Sequence, residues 1–398
     1  MKTVQTHQFD SVVIGAGITG LAMALSLAEC GNKVAIVDQR LTPPTVDESE
    51  EYDTRIYALN ENSVALLKKL DVWKYCDQQR IQPITAMKVF GDKTGQLDFN
   101  AKDKSIENDS LGVIIESRQL INILYKKTSH HPNIKYLLGL SIEGTDVIER
   151  LRVVSLSGGL QLYCRLLVAS DGLFSPTRSI VGIKETITEY DHFAVVANYQ
   201  SDQDHYGVAK QWFLSNGDIL ALLPLPDNIV SLVWSTQKDN ASYLSGINED
   251  KRIKEILSKV GYGIGRLKEV TRPHVFPLRL IRVNPIFLNR FILCGDAAHG
   301  VHPMAGQGLN LGLADVSTFM ELITNKQTTI DIGEYSLLSS YSRRRVESVT
   351  LMQALTHSLY VGFHVNTPWI SWVRNTGMNI INGLPGLKKL LLKQAGHA

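Results

Sequence analysis

Residues 9–38 read FDSVVIGAGITGLAMALSLAECGNKVAIVD, and this stretch decides the fold of the chain. The apolar run at 9–14 predicts a buried strand, and leucines at helical spacing predict a following helix that stops at Gly31. A second apolar strand ends on Asp38, 23 positions after Gly15 (38 − 15). A strand, a glycine-rich turn, a helix and an acid at the end of the next strand indicate a βαβ unit of the dinucleotide-binding type.

The glycines at 15, 17 and 20 form the pattern GxGxxG. They let the backbone approach a pyrophosphate, whose charge meets the free N–H groups and the positive dipole end of the helix. Asp38 is expected to accept hydrogen bonds from ribose hydroxyls, the alternative being a solvated acid at a strand end. A second glycine cluster at 261–265 follows a helical pattern and is interpreted as a helix exit and loop. The sequence therefore predicts one site of this type.

The composition is that of a globular protein of roughly two domains, with 398 residues, 44% hydrophobic and 20% charged. A formal net charge of +2 and the lack of long Lys or Arg runs argue against a nucleic-acid partner. The densest cluster, Arg343-Arg344-Arg345, is interpreted as a solvated helix face. The four cysteines lie too far apart for a metal-binding spacing, so we expect reduced thiols and no metal site. The N-terminus lacks a secretory signature and no stretch of about 20 residues is apolar, so we expect a cytoplasmic protein without a spanning helix.

Two further strands end on acids. In LLVASDGLFSPTR at 166–178 the apolar run leads to Asp171 and Gly172, and Pro176 is placed to begin a helix. In FILCGDAAHGVHPMAGQGLNLGLAD at 291–315 the run leads to Asp296. Because α/β folds bind ligands at the carboxyl ends of their strands, three such ends suggest one extended nucleotide.

Between about 186 and 280 the chain is rich in alternating and β-branched segments, which predict an antiparallel sheet. After about 316 the pattern becomes helical. We predict the following division: a discontinuous first domain of 1–75, 105–185 and 281–325, a β-sheet domain of 76–104 and 186–280, and a C-terminal helical segment of 326–398.

The stretches GAGITG at 15–20, ASDGLFSPTR at 169–178 and GDAAHGVHPMAGQGLNLGLAD at 295–315 together resemble the flavoprotein aromatic hydroxylases, the family of para-hydroxybenzoate hydroxylase. The resemblance implies an α/β fold, with a Rossmann-like FAD-binding domain, an antiparallel β-sheet substrate domain and C-terminal helices. It also implies non-covalently bound FAD, NADH or NADPH as reductant, and molecular oxygen as co-substrate.

The resemblance carries roles to the residues that match the family's motifs. The matching residues are Gly15, Gly17, Gly20 and Asp38 for the ADP moiety, Asp171, Gly172 and Arg178 for the Asp-Gly motif, Gly295 and Asp296 for the ribityl chain, and Pro303, Gly306, Gln307, Gly308 and Asn310 for the flavin ring. Arg55 and Arg118 resemble family arginines near the FAD phosphates and ribose. Each of these two arginines could equally form a surface salt bridge.

The two glycines at 306 and 308 have a physical explanation in this family. If they bring backbone N–H groups at a helix start against the flavin's pyrimidine edge, the helix dipole stabilises the anionic reduced flavin. His299 and His302 lie in the same stretch and are interpreted as structural. No side chain is identified as a base for the substrate, and Tyr199 on the predicted sheet is interpreted as core.

Within this family, DTRIYAL at 53–59, VFPLRL at 275–280 and the tail at 341–396 look like the ubiquinone-biosynthesis hydroxylases. Asn60 is a departure, since serine is common there, and it puts the exact substrate position in doubt. The implied substrate is a polyprenylated phenol. The implied reaction inserts one oxygen atom into its ring through a flavin 4a-hydroperoxide, and the other atom leaves as water.

Other functions stay open on the sequence. An FAD monooxygenase of another aromatic substrate, or a flavin-dependent reductase of isoprenoid lipids, would share the same motifs, and oxygen uptake separates the reductase. A halogenase typically shows WxWxIP, which Trp212 and Trp234 do not form; both are interpreted as core. A non-catalytic protein resembling GDP-dissociation inhibitors would need neither Asp296 nor the Gly-Gln-Gly helix start.

A polyprenyl substrate is dissolved in the bilayer. The enzyme must therefore bind the membrane surface or receive its substrate from partners such as a multiprotein complex of ubiquinone biosynthesis. The C-terminal segment is a candidate for peripheral contact with the inner face of the membrane. At helical spacing there, Leu387, Leu390 and Leu391 oppose Lys388, Lys389 and Lys393. The alternative is a C-terminal helix packed on its own domain.

Overall fold

The computed structural model describes residues 5–43, 45, 51–104, 109–261, 263–300, 307–324, 331–364 and 368–397. The strands in these ranges are β1 Gln5–Ile14, β2 Val34–Asp38, β3 Ile56–Leu59, β4 Gln82–Ile84, β5 Ala86–Phe90, β6 Gln96–Asn100, β7 Gly112–Glu116, β8 Ile134–Leu138, β9 Ile142–Ile148, β10 Leu151–Leu156, β11 Leu160–Ala169, β12 Glu185–Ser201, β13 Val208–Phe213, β14 Ile219–Leu225, β15 Ile229–Gln237, β16 Leu267–Glu269, β17 His274–Val283, β18 Phe287–Leu288, β19 Phe291–Leu293 and β20 His299–Gly300. The helices are α1 Ile18–Glu29, α2 Glu61–Lys69, α3 Ala101–Lys104, α4 Ser117–Ser129, α5 Pro176–Ile180, α6 Lys238–Gly246, α7 Glu249–Val260, α8 Gly308–Thr324, α9 Tyr335–His364, α10 Pro368–Asn382 and α11 Pro385–His397.

The first sheet is built around four neighbouring parallel strands in the order β19, β11, β1, β2. β8 continues it beyond β2, and β10 with β9 forms an antiparallel extension on β11. Strands covered on both faces read as continuous apolar runs, and the first four residues of β2 (VAIV) are fully buried. Helix α1 packs against β1 and β2 and contacts α4 and α8. This arrangement is the predicted Rossmann-like layer.

In the described residues the second sheet has nine strands in the order β20, β17, β12, β15, β14, β13, β5, β6, with β16 beside β12. Its pairs are antiparallel, as predicted, apart from the parallel pair of β13 and β5. Helices α6 and α7 cover one face, where Tyr199 and Trp234 are buried. Trp212 packs against this cluster and stacks on Phe90 with ring centroids 5.3 Å apart. The interpretation of these three aromatic residues as core is therefore confirmed.

The third sheet is small and pairs β3, β7 and β4. The α/β fold class with C-terminal helices is confirmed. The division into domains stays a prediction, and its limits do not coincide with those of the sheets. β4 lies in the proposed segment 76–104 but pairs with β7 of the first domain, and β17 itself spans the proposed limit between 280 and 281.

Helix α10 covers β6, the last strand in the order of the second sheet. Three asparagines on one face of the helix, at spacings of four and three, accept hydrogen bonds from backbone N–H groups beside or within that strand. The pairs are Gly95 to Asn375 (2.7 Å), Gln96 to Asn379 (2.9 Å) and Asp98 to Asn382 (2.9 Å). Because these bonds occupy donors that an open edge would offer to another chain, α10 protects the sheet from edge pairing.

The arginine cluster at 343–345 is not a solvated face throughout. Arg343 and Arg344 are exposed, but Arg345 is only 3% exposed and its Nε donates to Asp315 Oδ1 at 2.6 Å. The prediction was wrong for Arg345 because this residue lies on the buried stripe of α9, with Tyr341 one turn before it and Val349 one turn after it.

Candidate functional site

The carboxyl ends of β19, β11, β1 and β2 lie side by side along one edge of the first sheet. The amide of Ser170 donates to the carbonyl of Ile14 (2.8 Å), and the amide of Cys294 donates to the carbonyl of Ala169 (2.9 Å). The amide of Gly15 donates to the carbonyl of Val37 at 2.8 Å. The loops that follow these strands carry the three motifs and Asp38, so Gly15 and Gly295, which are 280 positions apart in sequence (295 − 15), meet at one site.

The three glycines of GAGITG occupy three different environments. Gly15 has a φ of +101°, and a methyl group on it would approach the Ser170 carbonyl oxygen to 2.5 Å. A methyl group on Gly20 would overlap the Gly15 carbonyl oxygen and the Ser170 hydroxyl. Gly17 has ordinary extended dihedral angles, and a methyl group there would meet nothing within 4 Å. Gly15 and Gly20 therefore serve packing, whereas Gly17 faces open space at the start of α1.

The Asp38 carboxylate is held by the chain itself. The Ala16 amide donates to Oδ2 (2.7 Å), and Arg40 donates its amide and its Nε to Oδ1 and its Nη2 to Oδ2 (2.8–2.9 Å). Burial opposes ionisation, but these hydrogen bonds bring the pKa of Asp38 below its ordinary value. Four donors fill the acceptor positions of the carboxylate, so a ribose hydroxyl would have to replace one of them. Arg40, whose side chain is 49% exposed, is the donor best placed to move.

In the second motif, Asp171 supports the start of a helix whose N-cap is Ser175. Its carboxylate accepts from the hydroxyl of Ser175 and from the amide of Thr177 (3.0 Å) at the start of α5. Arg178 is 1% exposed, and its guanidinium donates to the carbonyls of Ala297 (2.9 Å) and Leu173 (3.0 Å). Gly172 has a φ of +89° with open space beside it. Arg178 thus joins the second and third motif loops, which the sequence did not predict.

The third motif places one carboxylate at the surface of a buried turn. Asp296 is the one exposed residue of 291–300, all of which the structure describes. The preceding Gly295 has a φ of +64° and donates its amide to Asp315 Oδ2 at 2.7 Å. A methyl group on Gly308, the first residue of α8, would lie 3.9 Å from Asp296 Oδ1. Asp296 therefore faces the open side of the sheet edge, beside the start of a helix.

Gln307 and Asn310 belong to the first turn around that helix start. Asn310 is 1% exposed; its amide group donates to the carbonyl of Ala58 (2.8 Å) and accepts from the Ser63 hydroxyl (2.7 Å). Gln307 is partly exposed and accepts from Asn310 Nδ2 at 3.0 Å. Pro303, Gly306 and His302 lie outside the described residues, so their assignments stay predictions.

The two arginines matched to the family differ in exposure. Arg118 is 7% exposed and its Nη2 lies 2.7 Å from Glu116, a fully buried carboxylate that also pairs with Arg80 (2.7 Å). Arg55 is exposed, with its guanidinium 5.6 Å from the ring centre of Tyr57. Burial raises the pKa of Tyr57, and the nearby charge of Asp296 raises it further. Tyr57, which the sequence did not single out, therefore lies beside Arg55.

The second sheet presents an apolar surface on the face opposite α6 and α7. Val196 pairs with Val233, which pairs with Ala221, and these three side chains are partly exposed in the middle of the sheet. On the same face Asn198 donates to the carbonyl of Asp53 at 3.1 Å. This face is therefore directed at the segment that carries Arg55. Cross-strand neighbours on one face lie close enough to form a continuous floor.

The C-terminal helices expose apolar side chains where α10 meets α11. Ile380, Leu384 and Leu387 are 57%, 48% and 37% exposed. Lys388 is 9% exposed and its Nζ lies 3.2 Å from Asp103, so it packs on its own domain and does not form the exposed basic face opposite the leucines that the sequence predicted. The side chains of Leu390 and Lys393 lie outside the described residues. None of the helices in the described part of the chain has the length and apolarity needed to cross a bilayer.

Comparison with known proteins gives a consistent set of relatives. A family model described as FAD binding domain matches residues 8–356. The ubiquinone biosynthesis monooxygenase COQ6, mitochondrial, of Drosophila melanogaster is 27% identical over 99% of this chain and 91% of its own length. The 3-demethoxyubiquinol 3-hydroxylase of Escherichia coli (strain K12) is 29% identical over 97% of this chain and 98% of its own. Among solved structures, p-nitrophenol 4-monooxygenase PnpA from Pseudomonas putida DLL-E4 shares the fold, with a TM-score of 0.77 at 17% identity over 99% of this chain and 98% of that one.

Proposed function

The chain belongs to the FAD binding domain family, and on this premise we propose that the protein hydroxylates the aromatic ring of a polyprenylated phenol on the way to ubiquinone. It is an FAD-dependent monooxygenase that takes molecular oxygen as co-substrate and NADH or NADPH as reductant. Two relatives that align over nearly the whole chain bear names from ubiquinone biosynthesis. The observation that carries the proposal is the family match over 8–356 together with the meeting of three motif loops at one sheet edge.

Three features of that edge support binding of FAD by the motif residues. The space beside Gly17 holds no atom of the described residues within 4 Å of the position that a methyl group would take, its chain neighbours aside, so a pyrophosphate can approach the backbone there. Within the described residues no side chain caps the start of α1, which leaves its N–H groups available to phosphate oxygens. Asp296 is exposed beside Gly308, which suits an acceptor for ribityl hydroxyls. The residues present therefore fit the cofactor.

Not every matched residue can touch FAD. Arg178, Asn310 and Arg118 are 1%, 1% and 7% exposed, and hydrogen bonds to the chain occupy their polar groups. We assign these three to holding the loops in place, and we assign direct contact to Gly17, Asp296 and the start of α8.

Bound FAD supplies the activation of oxygen and the transfer of one oxygen atom to the ring. The chain supplies orientation and electrostatics. Asp296 would accept hydrogen bonds from the ribityl hydroxyls, and the positive dipole end at the start of α8 would favour negative charge at the adjacent end of the flavin. The motif loops, packed by Arg178 and Asn310, keep these groups in place without rearrangement during the reaction.

The apolar floor of the second sheet supports a hydrophobic substrate. Val196, Ala221 and Val233 are partly exposed on the face opposite α6 and α7, and none of these side chains carries a charge or a hydrogen-bonding group. Ligand sites for apolar molecules are lined in this way, with polar groups confined to a few positions. A prenylated phenol would bury its ring and first isoprene units against such a floor. We assign no side chain as the base for the phenol.

We also propose peripheral contact with the membrane through the turn between α10 and α11. Ile380, Leu384 and Leu387 form an exposed apolar surface, and the exposed Lys389 beside them suits anionic lipid headgroups. α10 itself is fastened to β6, so the surface is held on the domain that carries the apolar floor. A multiprotein complex of ubiquinone biosynthesis is the alternative route for substrate delivery.

The proposed reaction is tested by the quinone profile of cells that lack the protein, measured by lipid extraction and mass spectrometry. We expect accumulation of a polyprenylphenol that lacks one hydroxyl group, reversed by the wild-type gene and not by a variant with Asp296→Ala. A normal ubiquinone pool with no accumulated phenol would contradict the proposed substrate.

The membrane contact has its own test, flotation with vesicles of phosphatidylethanolamine and phosphatidylglycerol. The double variant Leu384→Ser with Leu387→Ser is expected to remain at the bottom of the gradient while wild type floats. Ile148→Ser, at a residue of β9 that is 53% exposed, is the matched control and should float. Equal flotation of the double variant and wild type would exclude this surface.

A further inference from the structure

Asp315, on α8, lies at the centre of a buried hydrogen-bond network below the third motif. Its side chain is fully buried, and donors reach it from three other parts of the chain. The Gly295 amide donates to Oδ2 (2.7 Å), His299 Nε2 lies 2.8 Å from the same atom, and Arg345 Nε donates to Oδ1 at 2.6 Å. Burial opposes ionisation, but the charges and hydrogen bonds of these partners bring the pKa of Asp315 below its ordinary value.

We propose that Asp315 is a positioning residue that sets the Gly295-Asp296 turn, and through it the affinity of the protein for FAD. The inference rests on the proposed function in one respect, the assignment of Asp296 as a contact of FAD. Asp315, His299 and Arg345 are 0%, 2% and 3% exposed, so they cannot reach a bound cofactor themselves. Their effect on FAD must pass through the backbone that they hold.

Gly295, which is hydrogen-bonded to Asp315, directly precedes Asp296, the residue assigned to FAD contact. Gly295 adopts a left-handed conformation (φ +64°), and the next residue, Asp296, is the exposed one in a turn that is otherwise buried. A carboxylate that accepts from the Gly295 amide restrains the peptide bond between Cys294 and Gly295, which is the bond immediately before the residue that precedes Asp296. Preorganised groups of this kind cost no reorganisation when the ligand binds.

The network also connects the turn to the rest of the molecule. His299 begins β20, which pairs with β17 of the second sheet, and Arg345 lies on α9. Arg345 Nη2 donates to the carbonyl of Leu311 (3.1 Å), and the Tyr341 hydroxyl donates to the carbonyl of Leu293 (2.9 Å). The turn is therefore fastened to α8, α9 and the second sheet by one carboxylate and its neighbours.

A purely structural ion pair would give the same contacts, so the test must separate stability from FAD binding. A double-mutant cycle between Asp315→Asn and Asp296→Asn does this, with the dissociation constant for FAD measured by titrating apoprotein and the apoprotein's melting temperature measured in parallel. Residues that act through one another give non-additive effects, whereas independent residues give additive ones.

We expect Asp315→Asn to weaken FAD binding by about tenfold in the wild-type background and by less than about threefold in the Asp296→Asn background. Asp218→Asn is the matched control. Asp218 is 2% exposed and accepts from Trp234 Nε1 (3.0 Å) and Thr236 Oγ1 (2.8 Å) in the second sheet. Its loss should lower the melting temperature without changing the affinity for FAD.

Equal losses in both backgrounds, or wild-type affinity in Asp315→Asn, would overturn the inference and leave the proposed function intact. Wild-type affinity in Asp296→Asn would overturn both the inference and the assignment of Asp296. If Asp315→Asn does not fold, the cycle is run with His299→Leu, which removes the ring N–H, and with His299→Gln, which can restore a donor. We then expect the leucine variant to lose affinity and the glutamine variant to recover it; equal affinities would overturn the inference.

Discussion

Alanine at Gly17 and alanine at Gly20 should have opposite effects, although both glycines belong to one motif. A methyl group at 20 overlaps the backbone oxygen of Gly15, and backbone cannot move aside cheaply. Overpacking of this kind costs about 1–3 kcal/mol of folding free energy. At 17 the dihedral angles (φ −79°, ψ 176°) suit alanine and the space is open, so the apoprotein should be unchanged or gain up to about 1 kcal/mol.

The same methyl group at 17 stands where the pyrophosphate of FAD must approach the start of α1. A clash there of about 1–3 kcal/mol corresponds to a dissociation constant roughly 5- to 150-fold higher. The assays are urea unfolding of the two apoproteins and titration of each with FAD followed by flavin fluorescence. Wild-type affinity in Gly17→Ala, with its stability unchanged, would refute the assignment of the open position to the cofactor.

Further predictions concern the buried carboxylate Glu116, the docking of α10 and the apolar floor. Burial opposes ionisation of Glu116, but Arg80 and other donors bring its pKa below the ordinary 4.5. The ionised carboxylate therefore stabilises the folded state above pH 4.5, and this contribution is lost as the pH falls through the folded-state pKa. Glu116→Gln should therefore differ most from wild type in urea unfolding at pH 6 and converge with it towards pH 3. Asn375→Ala leaves the buried amide of Gly95 without its acceptor and should cost about 1–3 kcal/mol, with faster proteolysis of α10; wild-type stability would contradict the role given to the asparagines. Ala221→Leu adds bulk beside Val233 and should lower kcat/KM for a prenylated phenol while FAD binding stays unchanged. A change in FAD affinity with unchanged kcat/KM would contradict the assignment of this face to the substrate.

Local signals predicted the four central parallel strands of the first sheet, β19, β11, β1 and β2. The apolar runs at 9–14 and 34–37 form β1 and β2, and Gly31, with a φ of +81°, follows the end of α1 as expected. Pro176 is the first residue of α5, also as expected. These features depend on side-chain periodicity and on the backbone preferences of glycine and proline, which act within a few residues.

The partners of the buried charges were not predicted, because they come from distant parts of the chain. Asp315 pairs with Arg345 across 30 positions, and Glu116 pairs with Arg80 across 36. For Arg345 one signal was present: Tyr341 and Val349 place it on an apolar helical stripe. The hydrogen bonds from Arg40 to the Asp38 carboxylate could not be predicted from the sequence spacing, since an arginine two residues after an acid is compatible with many geometries.

The central claim is a ring hydroxylation that consumes oxygen. Its most direct test is incubation of the purified holoenzyme with a prenylated phenol, NADH or NADPH, and ¹⁸O₂, followed by mass spectrometry of the extracted lipid. We predict one ¹⁸O atom in the ring of the product. A product without ¹⁸O, or reductant oxidised with no change in the phenol, would contradict the claim.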